Sequence, residues 1–492
     1  MATSPQRDYV FILCDQLRAD FLRCYGCDAI DTPNLDWLAS ESVVYENAVS
    51  TCPLCVPARA AMLTGMTPLQ SGVISNEHWL RPDRVEMGYR TWPELLLEQG
   101  YHTAAVGKMH FHPFESSEGF AERIIAEDKR WPLIDDDYMG FLRKNGVGPD
   151  KFNAIDLPDY VKQKGAVHFP HDISLTPDRF VAEEAVRLIQ RQPTEQPLAL
   201  MVGFPGPHCP YDPVPELLEH VAPEKLPQLC PRSLCQSDAA LEMHARFIKG
   251  YKGYWHQLDY TDFTEADKLR IRHHYAALIA QIDDEVGRVL NALRQAGRLD
   301  SSVIIFTSDH GDHVGDQERV GKGTFYEPSV HVPLLMRWPQ AEGGGQRIST
   351  PVALQSAPAT ILQDACGKLP DWWAYPSLPR GDVAGEVDPV FGYMEDGCMV
   401  RTGQWKLCRY ATGFCELFDM VADPHEAENL YDSEDHYGER MKLEGLLLDW
   451  VTCNANSGQL AERIDSPEPL CRSHAFATRG WKRIYPNPGY SK

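Results

Sequence analysis

Short, continuously apolar segments alternate with segments of helical periodicity along most of the chain. The predicted buried strands are Tyr9–Cys14, Thr103–Val106, Leu198–Phe204 and Ser302–Thr307. Helices are predicted over Leu95–Gln99, from Thr176 to Gln190 and from Thr264 to Gly297, each after a threonine that suits the start of a helix. Continuous apolar strands in such an alternation predict an α/β fold, with a mostly parallel sheet covered by helices on both faces.

The last predicted helix has an apolar stripe from Leu269 to Leu293, which we expect to face the core. His273 and His274 are expected on its polar face. Residues 111–175 and 205–260 show weak periodicity and are predicted to be long insertions near the strand ends, where substrate-selecting loops usually lie.

The pattern changes after about residue 370, where Gly392–Tyr410 and Phe414–Asp419 alternate like short strands joined by turns. We therefore expect two domains: residues 1–375 form the large, catalytic one, and residues 376–492 form a smaller α+β subdomain with an antiparallel sheet and a tail. The tail from Ala477 to Lys492 is apolar enough to contact another subunit, which leaves a homo-oligomer open.

Charge and composition exclude several classes of protein. The chain of 492 residues carries 47 basic and 70 acidic side chains, for a net charge of −23. This argues against nucleic acid or an anionic membrane as a partner, because both need a basic face. The polar start and the lack of a long apolar segment predict a cytoplasmic protein without a membrane span. With 14 cysteines in so long a chain, we expect reduced thiols.

Polar residues follow the predicted strands at the edge where ligands of such sheets bind. They are Asp15 and Gln16 after the first strand, His208 after the third, and Asp309 and His310 after the fourth. A set this rich in oxygen ligands favours a hard cation such as Ca²⁺, Mg²⁺ or Mn²⁺, and the single imidazole keeps Mn²⁺ credible.

The segment from Cys52 to Gly65 is the most informative one for chemistry. Pro57 suits the first turn of a helix, so Cys55 is predicted just before the helix and Arg59 one turn further on. A helix N-terminus with a guanidinium beside it can bind an anion. A Cys52–Cys55 redox pair, half of a zinc site and a buried structural cysteine stay open as alternatives.

The pattern Cys55-x-Pro57-x-Arg59 with Leu63-Thr64-Gly65 resembles the signature of type I sulfatases, the formylglycine-dependent members of the alkaline phosphatase superfamily. The resemblance continues in order along the chain, through Asp15-Gln16-x-Arg18, Gly107-Lys108-Met109-His110, Pro207-His208-x-Pro210-Tyr211, Thr307–Asp312, Gly321-Lys322 and Asp423–Leu430. Many sulfatases have a second Asp where this chain has Gln16, and the Asp-Gln form resembles choline sulfatases and phosphonate monoester hydrolases.

The resemblance implies an alkaline phosphatase-like fold and a sulfuric ester hydrolase. It implies that a formylglycine-generating or equivalent maturation enzyme converts Cys55 to Cα-formylglycine (3-oxoalanine). It also implies one divalent ion, Ca²⁺ first, and a small-molecule sulfate ester as substrate. The metal-binding residues it implies are Asp15, Gln16, Cys55, Asp309 and His310.

The implied mechanism begins with the geminal diol of the hydrated aldehyde, one hydroxyl of which attacks sulfur to give a covalent sulfo-enzyme. Arg59, Lys108 and Lys322 stabilise the transferring group. His208, with Lys322, protonates the leaving alcohol. His110 then takes the proton of the second hydroxyl, so that the hemiacetal collapses to aldehyde and sulfate. Asn76 is expected to contact the substrate.

Other functions stay open beside the sulfatase. A phosphonate monoester or phosphodiester hydrolase would use the same nucleophile, although Lys108 and His110 favour the sulfatase. A binding protein without turnover would keep the same pocket. A zinc-dependent phosphatase is disfavoured because position 55 is not Ser or Thr. The alcohol part of the substrate stays open between a quaternary ammonium, an aryl group and a sugar.

Overall fold

A computed structural model describes residues 7–127, 134–148, 154–230, 238–253, 258–381, 388–455 and 461–463. Its strands are β1 (Tyr9–Asp15), β2 (Val43–Tyr45), β3 (Ala48–Val49), β4 (His78–Leu80), β5 (His102–Gly107), β6 (Glu122–Ile125), β7 (Leu198–Pro207), β8 (Val303–Ser308), β9 (His331–Val332), β10 (Leu334–Arg337), β11 (Arg347–Ile348), β12 (Val352–Ala353), β13 (Val390–Met394), β14 (Gly397–Arg401), β15 (Trp405–Tyr410), β16 (Cys415–Asp419) and β17 (Ala461–Arg463).

The α-helices are α1 (Pro33–Ser40), α2 (Cys55–Thr64), α3 (Pro68–Ser71), α4 (Trp92–Glu98), α5 (Asp137–Lys144), α6 (Pro177–Arg191), α7 (Pro215–Leu218), α8 (Asp238–Gly253), α9 (Glu265–Gln295), α10 (Glu327–Val330), α11 (Ser356–Cys366) and α12 (Tyr437–Ala455). No helix within the described ranges is both long enough and apolar enough to cross a membrane.

The large sheet has eight strands in the order β11-β2-β10-β8-β1-β7-β5-β6. Its central strand β1 is buried at every residue and pairs in parallel with β7 on one side and β8 on the other. Alternate side chains of β1 enter two separate apolar cores, one on each face of the sheet. The antiparallel β10 makes the sheet mixed. The predicted α/β fold, with its mostly parallel sheet, is therefore confirmed.

The predicted helices form close to the predicted positions, and their caps explain where they begin. Thr91 caps α4 and Thr264 caps α9, each through a reciprocal capping box with the residue three positions on. Two details of α9 were predicted wrongly. Leu269 of the expected apolar stripe is 50% exposed. His274, expected on the polar face, is buried, because the carbonyl oxygens of Val167 and Tyr211 lie 3.1 and 3.0 Å from its Nδ1 and cover that part of the helix.

The C-terminal part is the predicted antiparallel sheet. Strands β13 to β16 pair in sequence order, and α12 packs on one face through Leu443 and Leu447.

Residues 111–175 contain more structure than an insertion loop, since β6 extends the large sheet at its edge and α5 follows it. The boundary at residues 375 and 376 stays a prediction, and the tail from Ala477 to Lys492 lies outside the described residues.

Two glycines on neighbouring strands let β5 and β7 approach at the edge that carries the site. Gly107 has φ +100°, and a Cβ there would lie 2.0 Å from the carbonyl oxygen of Gly203. A Cβ on Gly203 would lie 2.3 Å from the carbonyl oxygen of Lys108. The position of Lys108 therefore depends on two residues without side chains.

We predict that Gly107→Ala destabilises the protein much more than Gly26→Ala. Gly26 has φ +103° and no atom near its Cβ position, so the control bears only the backbone strain, about 1–2 kcal/mol. Gly107→Ala adds a backbone collision, which we expect to cost at least about 1–3 kcal/mol more. Thermal midpoints of the two variants measure the difference, and equal midpoints would contradict the prediction.

Candidate active site

Four side chains meet at the carboxyl edge of the sheet. Asp15 ends β1, Asp309 and His310 follow β8, and Cys55 is the first residue of α2. One ligand atom from each lies within 4.8 Å of the others, and all four residues are buried. Cys55 Sγ is 3.2 Å from His310 Nε2 and 3.8 Å from Asp15 Oδ1. The strand ends and the helix start thus bring together the predicted nucleophile and three of the other predicted metal ligands.

The first turn of α2 is capped by a side chain from outside the helix. Leu54 precedes the helix in an extended conformation, and its side chain makes no capping hydrogen bond. The amide oxygen of Asn76 accepts a hydrogen bond of 3.1 Å from the N–H of Val56. Asn76 therefore caps the first turn beside Cys55, while its expected contact with substrate stays a prediction.

Arg59 joins the two buried carboxylates. Its Nε donates to Asp309 at 2.8 Å, and a terminal nitrogen donates to Asp15 at 3.0 Å. The other terminal nitrogen donates to the carbonyl oxygen of Lys108 at 2.6 Å. Lys108 itself places Nζ 3.0 Å from Asp15 Oδ2. Two cations are therefore held against carboxylates that would otherwise be uncompensated in the interior.

Lys322 lies directly on the candidate nucleophile. Its Nζ is 2.7 Å from Cys55 Sγ and 2.7 Å from the amide oxygen of Gln16. Burial and Asp15 raise the pKa of the Cys55 thiol, but Lys322 and His310 outweigh them and leave it below its ordinary value. Burial also raises the pKa of Asp15, while the surrounding cations hold it well below its usual range.

Asp312 orients Gln16 and was given no role by the sequence prediction. One of its carboxylate oxygens accepts from the Gln16 side-chain amide and, at 2.6 Å, from the Tyr211 hydroxyl. The other accepts from the N–H groups of Val314 and Gly321, at 3.0 and 2.6 Å. With its amide nitrogen held, Gln16 points its oxygen toward Lys322. The residue lies in the predicted Thr307–Asp312 element, but spacing alone did not distinguish it from a turn residue.

His208 and His110 approach the cluster from two further strands. His208 places Nε2 3.9 Å from Asp15 Oδ1, and its Nδ1 lies 2.7 Å from the carbonyl oxygen of Cys209. His110 has φ +56° and lines a small pocket beside the first turns of α2, together with Arg59 and Trp79. His208 thus lies beside Asp15, while His110 lines a pocket with residues of α2 and is not one of the four clustered side chains.

Glu127 fixes the backbone of His110 and was also missed. Its carboxylate accepts hydrogen bonds from the N–H groups of His110 at 2.8 Å and Met109 at 3.3 Å. Burial raises the pKa of Glu127, and Arg123 and the His110 N–H oppose that shift. The sequence analysis did not identify Glu127 as a functional residue because it follows β6, a strand within the segment that was predicted to be an insertion.

The chemistry of the donor set fits a divalent cation. Carboxylates from Asp15 and Asp309, the Gln16 amide oxygen and one imidazole nitrogen are mainly hard ligands. The Nδ1 of His310 lies 2.9 Å from the carbonyl oxygen of Gly311, an arrangement that leaves Nε2 facing Cys55. Such a bond to the second nitrogen is common in metal-binding histidines.

The fold is shared with solved structures of phosphonate monoester hydrolases and sulfatases. A phosphonate monoester hydrolase of Agrobacterium radiobacter superposes with a TM-score of 0.78 at 24% identity, covering 91% of this chain and 96% of that one. BT4656 in complex with its substrate D-glucosamine-2-N,6-O-disulfate superposes with a TM-score of 0.71 at 20% identity, covering 91% and 98%. Both likenesses confirm the architecture.

Sequence comparison gives the family. An arylsulfatase of Clostridium perfringens (strain 13 / Type A) is 29% identical over 460 residues, which cover 88% of this chain and 91% of that protein. A choline-sulfatase of Rhizobium meliloti (strain 1021) is 28% identical over 467 residues, covering 88% and 83%. The family model described as Sulfatase matches residues 7–367. The chain belongs to the sulfatase family, as its motifs predicted, and is a sulfatase enzyme.

We predict that Lys322→Ala raises the pKa of the Cys55 thiol in the unconverted chain, because the ammonium that stabilises the thiolate is removed. The ultraviolet absorbance of the thiolate, followed against pH, measures the shift once the trace of Cys55→Ser is subtracted. Lys225→Ala removes an exposed lysine and serves as the control. An unchanged titration in Lys322→Ala would contradict the contact.

Proposed function

We propose that the protein hydrolyses sulfate monoesters, with residue 55 as the nucleophile after its thiol is converted to formylglycine. The proposal rests on the surroundings of Cys55. This residue begins a helix, its Sγ lies 2.7 Å from Lys322 Nζ, and its side chain is grouped with those of Asp15, Asp309 and His310. Membership of the sulfatase family supports it. The coarse function follows from the family, and the modified nucleophile and the metal are parts of the proposal.

Conversion of Cys55 provides what a thiol lacks at this position. A hydrated aldehyde has two hydroxyl groups on one carbon, so one can attack sulfur while the other later helps to expel sulfate. The conversion needs a formylglycine-generating or equivalent maturation enzyme as a partner. Mass spectrometry of the peptide that holds Cys55 tests this step, since an unmodified thiol in fully active protein would exclude it.

The cation that we assign to this site is Ca²⁺, with Asp15, Gln16, Asp309, His310 and residue 55 as ligands. When bound, a divalent ion supplies Lewis-acid stabilisation of negative charge on the transferring group. Three side chains add fixed positive charge there: Arg59, Lys108 and Lys322. Each is held by carboxylate or amide oxygens before substrate arrives, so little reorganisation is needed during the reaction.

Two histidines carry the protons in this scheme. His208 donates a proton to the departing alcohol oxygen through Nε2, the nitrogen that faces Asp15. His110 takes the proton of the second hydroxyl of residue 55, and the bond between that carbon and the sulfate oxygen then breaks. This returns the aldehyde and releases sulfate. The roles of both histidines come from the family pattern, and their positions near α2 and Asp15 support them.

A phosphonate monoester hydrolase is the second candidate. The superposition on the Agrobacterium radiobacter enzyme favours it as far as the fold is concerned. Gln16 suits either activity. Lys108 is held on Asp15 at 3.0 Å, and His110 by Glu127, and this Lys-x-His pair favours the sulfatase.

We expect a higher kcat/KM for aryl sulfates than for phenylphosphonate esters in converted protein, because the Lys-x-His pair fits the sulfatase pattern. Side-by-side steady-state kinetics on the two ester classes measure the ratio. Cys55→Ala should remove both activities and controls for contaminating enzymes. A clear preference for the phosphonate ester would establish the second candidate, and retained turnover in Cys55→Ala would contradict both.

The converted protein also tests whether a divalent cation is required and whether Ca²⁺ is the ion that binds. Removal of divalent ions with a chelator should abolish turnover, and Ca²⁺ should restore it better than Mg²⁺. Calorimetric titration with Ca²⁺ gives a readout independent of activity, and Asp309→Asn should weaken binding while Asp300→Asn, an exposed aspartate, should not. Equal affinity in both variants would contradict the assignment.

The role of His208 predicts a dependence on the leaving group. His208→Ala should lower kcat by about 10²–10⁴ for alkyl sulfates, whose alkoxide needs a proton, and by much less for nitrophenyl sulfate. His220→Ala, at an exposed histidine, is the matched control and should leave both rates unchanged. Equal losses on the two substrates would show that His208 is not the general acid.

A further inference from the structure

The short chain segment that carries Lys322 is held on the catalytic side by its immediate neighbours and farther along by the residues that follow it. Gly321 N–H donates to Asp312 at 2.6 Å, and Gly323 N–H donates to the carbonyl oxygen of Pro53 at 3.1 Å. The carbonyl oxygen of Gly321 accepts from the His313 N–H at 2.7 Å, and the Thr324 hydroxyl lies 2.8 Å from His313 Nε2. Both neighbours of Lys322 have positive φ, at +83° and +91°. Regular secondary structure resumes only at Glu327, where α10 begins. The position of the Lys322 ammonium therefore depends on the residues that follow it as well as on these contacts.

Those residues are held by the C-terminal antiparallel sheet. Lys406 of β15 is fully buried, and its Nζ donates to the carbonyl oxygen of Phe325 at 2.9 Å and to Glu327 Oε1 at 2.8 Å. The same ammonium pairs with Glu426, whose other oxygen accepts from the N–H of Glu327 at 2.7 Å. One buried cation thus ties together the segment after Lys322, the start of α10 and the C-terminal region.

Two further side chains of the same sheet reach this segment. The hydroxyl of Tyr410 accepts a hydrogen bond of 3.3 Å from the N–H of Phe325, and the two rings pack with centroids 6.1 Å apart. The hydroxyl of Tyr326 donates to Glu416 on β16. Both backbone polar groups of Phe325 are therefore satisfied by β15, and the next residue is held by β16.

The charges at Lys406 make this contact hard to replace. Burial raises the pKa of Glu327, but Lys406 and other cations outweigh it and lower the pKa to about 2, so this carboxylate is ionised. Among the contacts of the described residues, only Lys406 both pairs with Glu327 and binds the carbonyl oxygen of Phe325. Without it, Glu327 and Glu426 would face each other without a cation between them.

We propose that Lys406 is a positioning residue for the active site, which holds Lys322 on residue 55 through Phe325 and Glu327. The inference goes beyond the proposed function, because it assigns part of the catalytic geometry to the C-terminal sheet. That sheet lies outside the segment 7–367 that the family model matches. Lys406 itself touches no reacting atom; it acts only through the segment that carries Lys322.

A double-mutant cycle tests the coupling. Lys322→Ala should lower kcat by about 10²–10³, the loss typical of one removed oxyanion donor. Lys406→Met should lower kcat by about 10-fold or more in the wild-type background, yet add no further loss in the Lys322→Ala background, because residues that act as a unit are not additive. Losses of equal size in both backgrounds would overturn the proposal.

Two controls separate positioning from a general effect on folding. Arg409→Met removes another cation from β15, one that pairs with Glu444 at the surface, and should leave kcat unchanged. Tyr410→Phe removes only the acceptor of the Phe325 N–H, and should show the same lack of additivity with Lys322→Ala. If Lys406→Met does not fold, Tyr410→Phe decides: additive losses there overturn the proposal.

A readout without turnover keeps this test independent of the proposed function. In the unconverted chain, Lys406→Met should shift the titration of the Cys55 thiol in the same direction as Lys322→Ala, followed by thiolate absorbance. A thermal midpoint lowered without any shift in this titration would show that Lys406 serves stability alone. Failure of ester hydrolysis with an intact shift would instead contradict the proposed function and leave the positioning role supported.

Discussion

The attraction between Arg59 and two buried carboxylates is the interaction on which the rest of the site depends. Asp15 and Asp309 come from different strands, and both are fully buried. Charges in such surroundings persist only when they are paired and hydrogen-bonded. Arg59 satisfies this condition for both carboxylates. It also donates a hydrogen bond to the carbonyl oxygen of Lys108 and so fixes the backbone there. Since Arg59 is one turn from Cys55 on α2, the same contact places the proposed nucleophile at the carboxyl edge of the sheet.

Much of this arrangement was predictable from sequence because its determinants are local. Apolar runs predicted β1, β5, β7 and β8, and capping threonines predicted α4 and α9, since both signals lie within a few residues. The rule that ligands bind beyond strand ends then grouped Asp15, His208 and Asp309. The motif resemblance added Lys108, His110 and Lys322, whose sequence distance from one another would otherwise give no indication of contact.

What could not be predicted depends on packing between distant segments. Glu127 supports His110 only because β6 joins the sheet edge, a pairing that weak periodicity did not reveal. The role of Asp312 could not be predicted because it depends on the direction in which the Gln16 side-chain amide points. His274 is buried because a distant loop covers α9, although its own helix position is polar by pattern. Lys406 gave no signal in the sequence, because the partners that make it informative, Phe325 and Glu327, lie 81 and 79 residues earlier in the chain.

The placement of β1 between β7 and β8 has a consequence for how the chain reaches its native state. Within the large sheet, the central strand β1 precedes every other strand in the chain, and its two neighbours are synthesised much later. Until then its apolar side chains and both of its hydrogen-bonding edges lack their native partners. Contacts of such long sequence separation form slowly, and exposed strand edges favour aggregation. Because β1 waits so long for its native neighbours, a chaperone that covered its apolar side chains during synthesis would reduce aggregation.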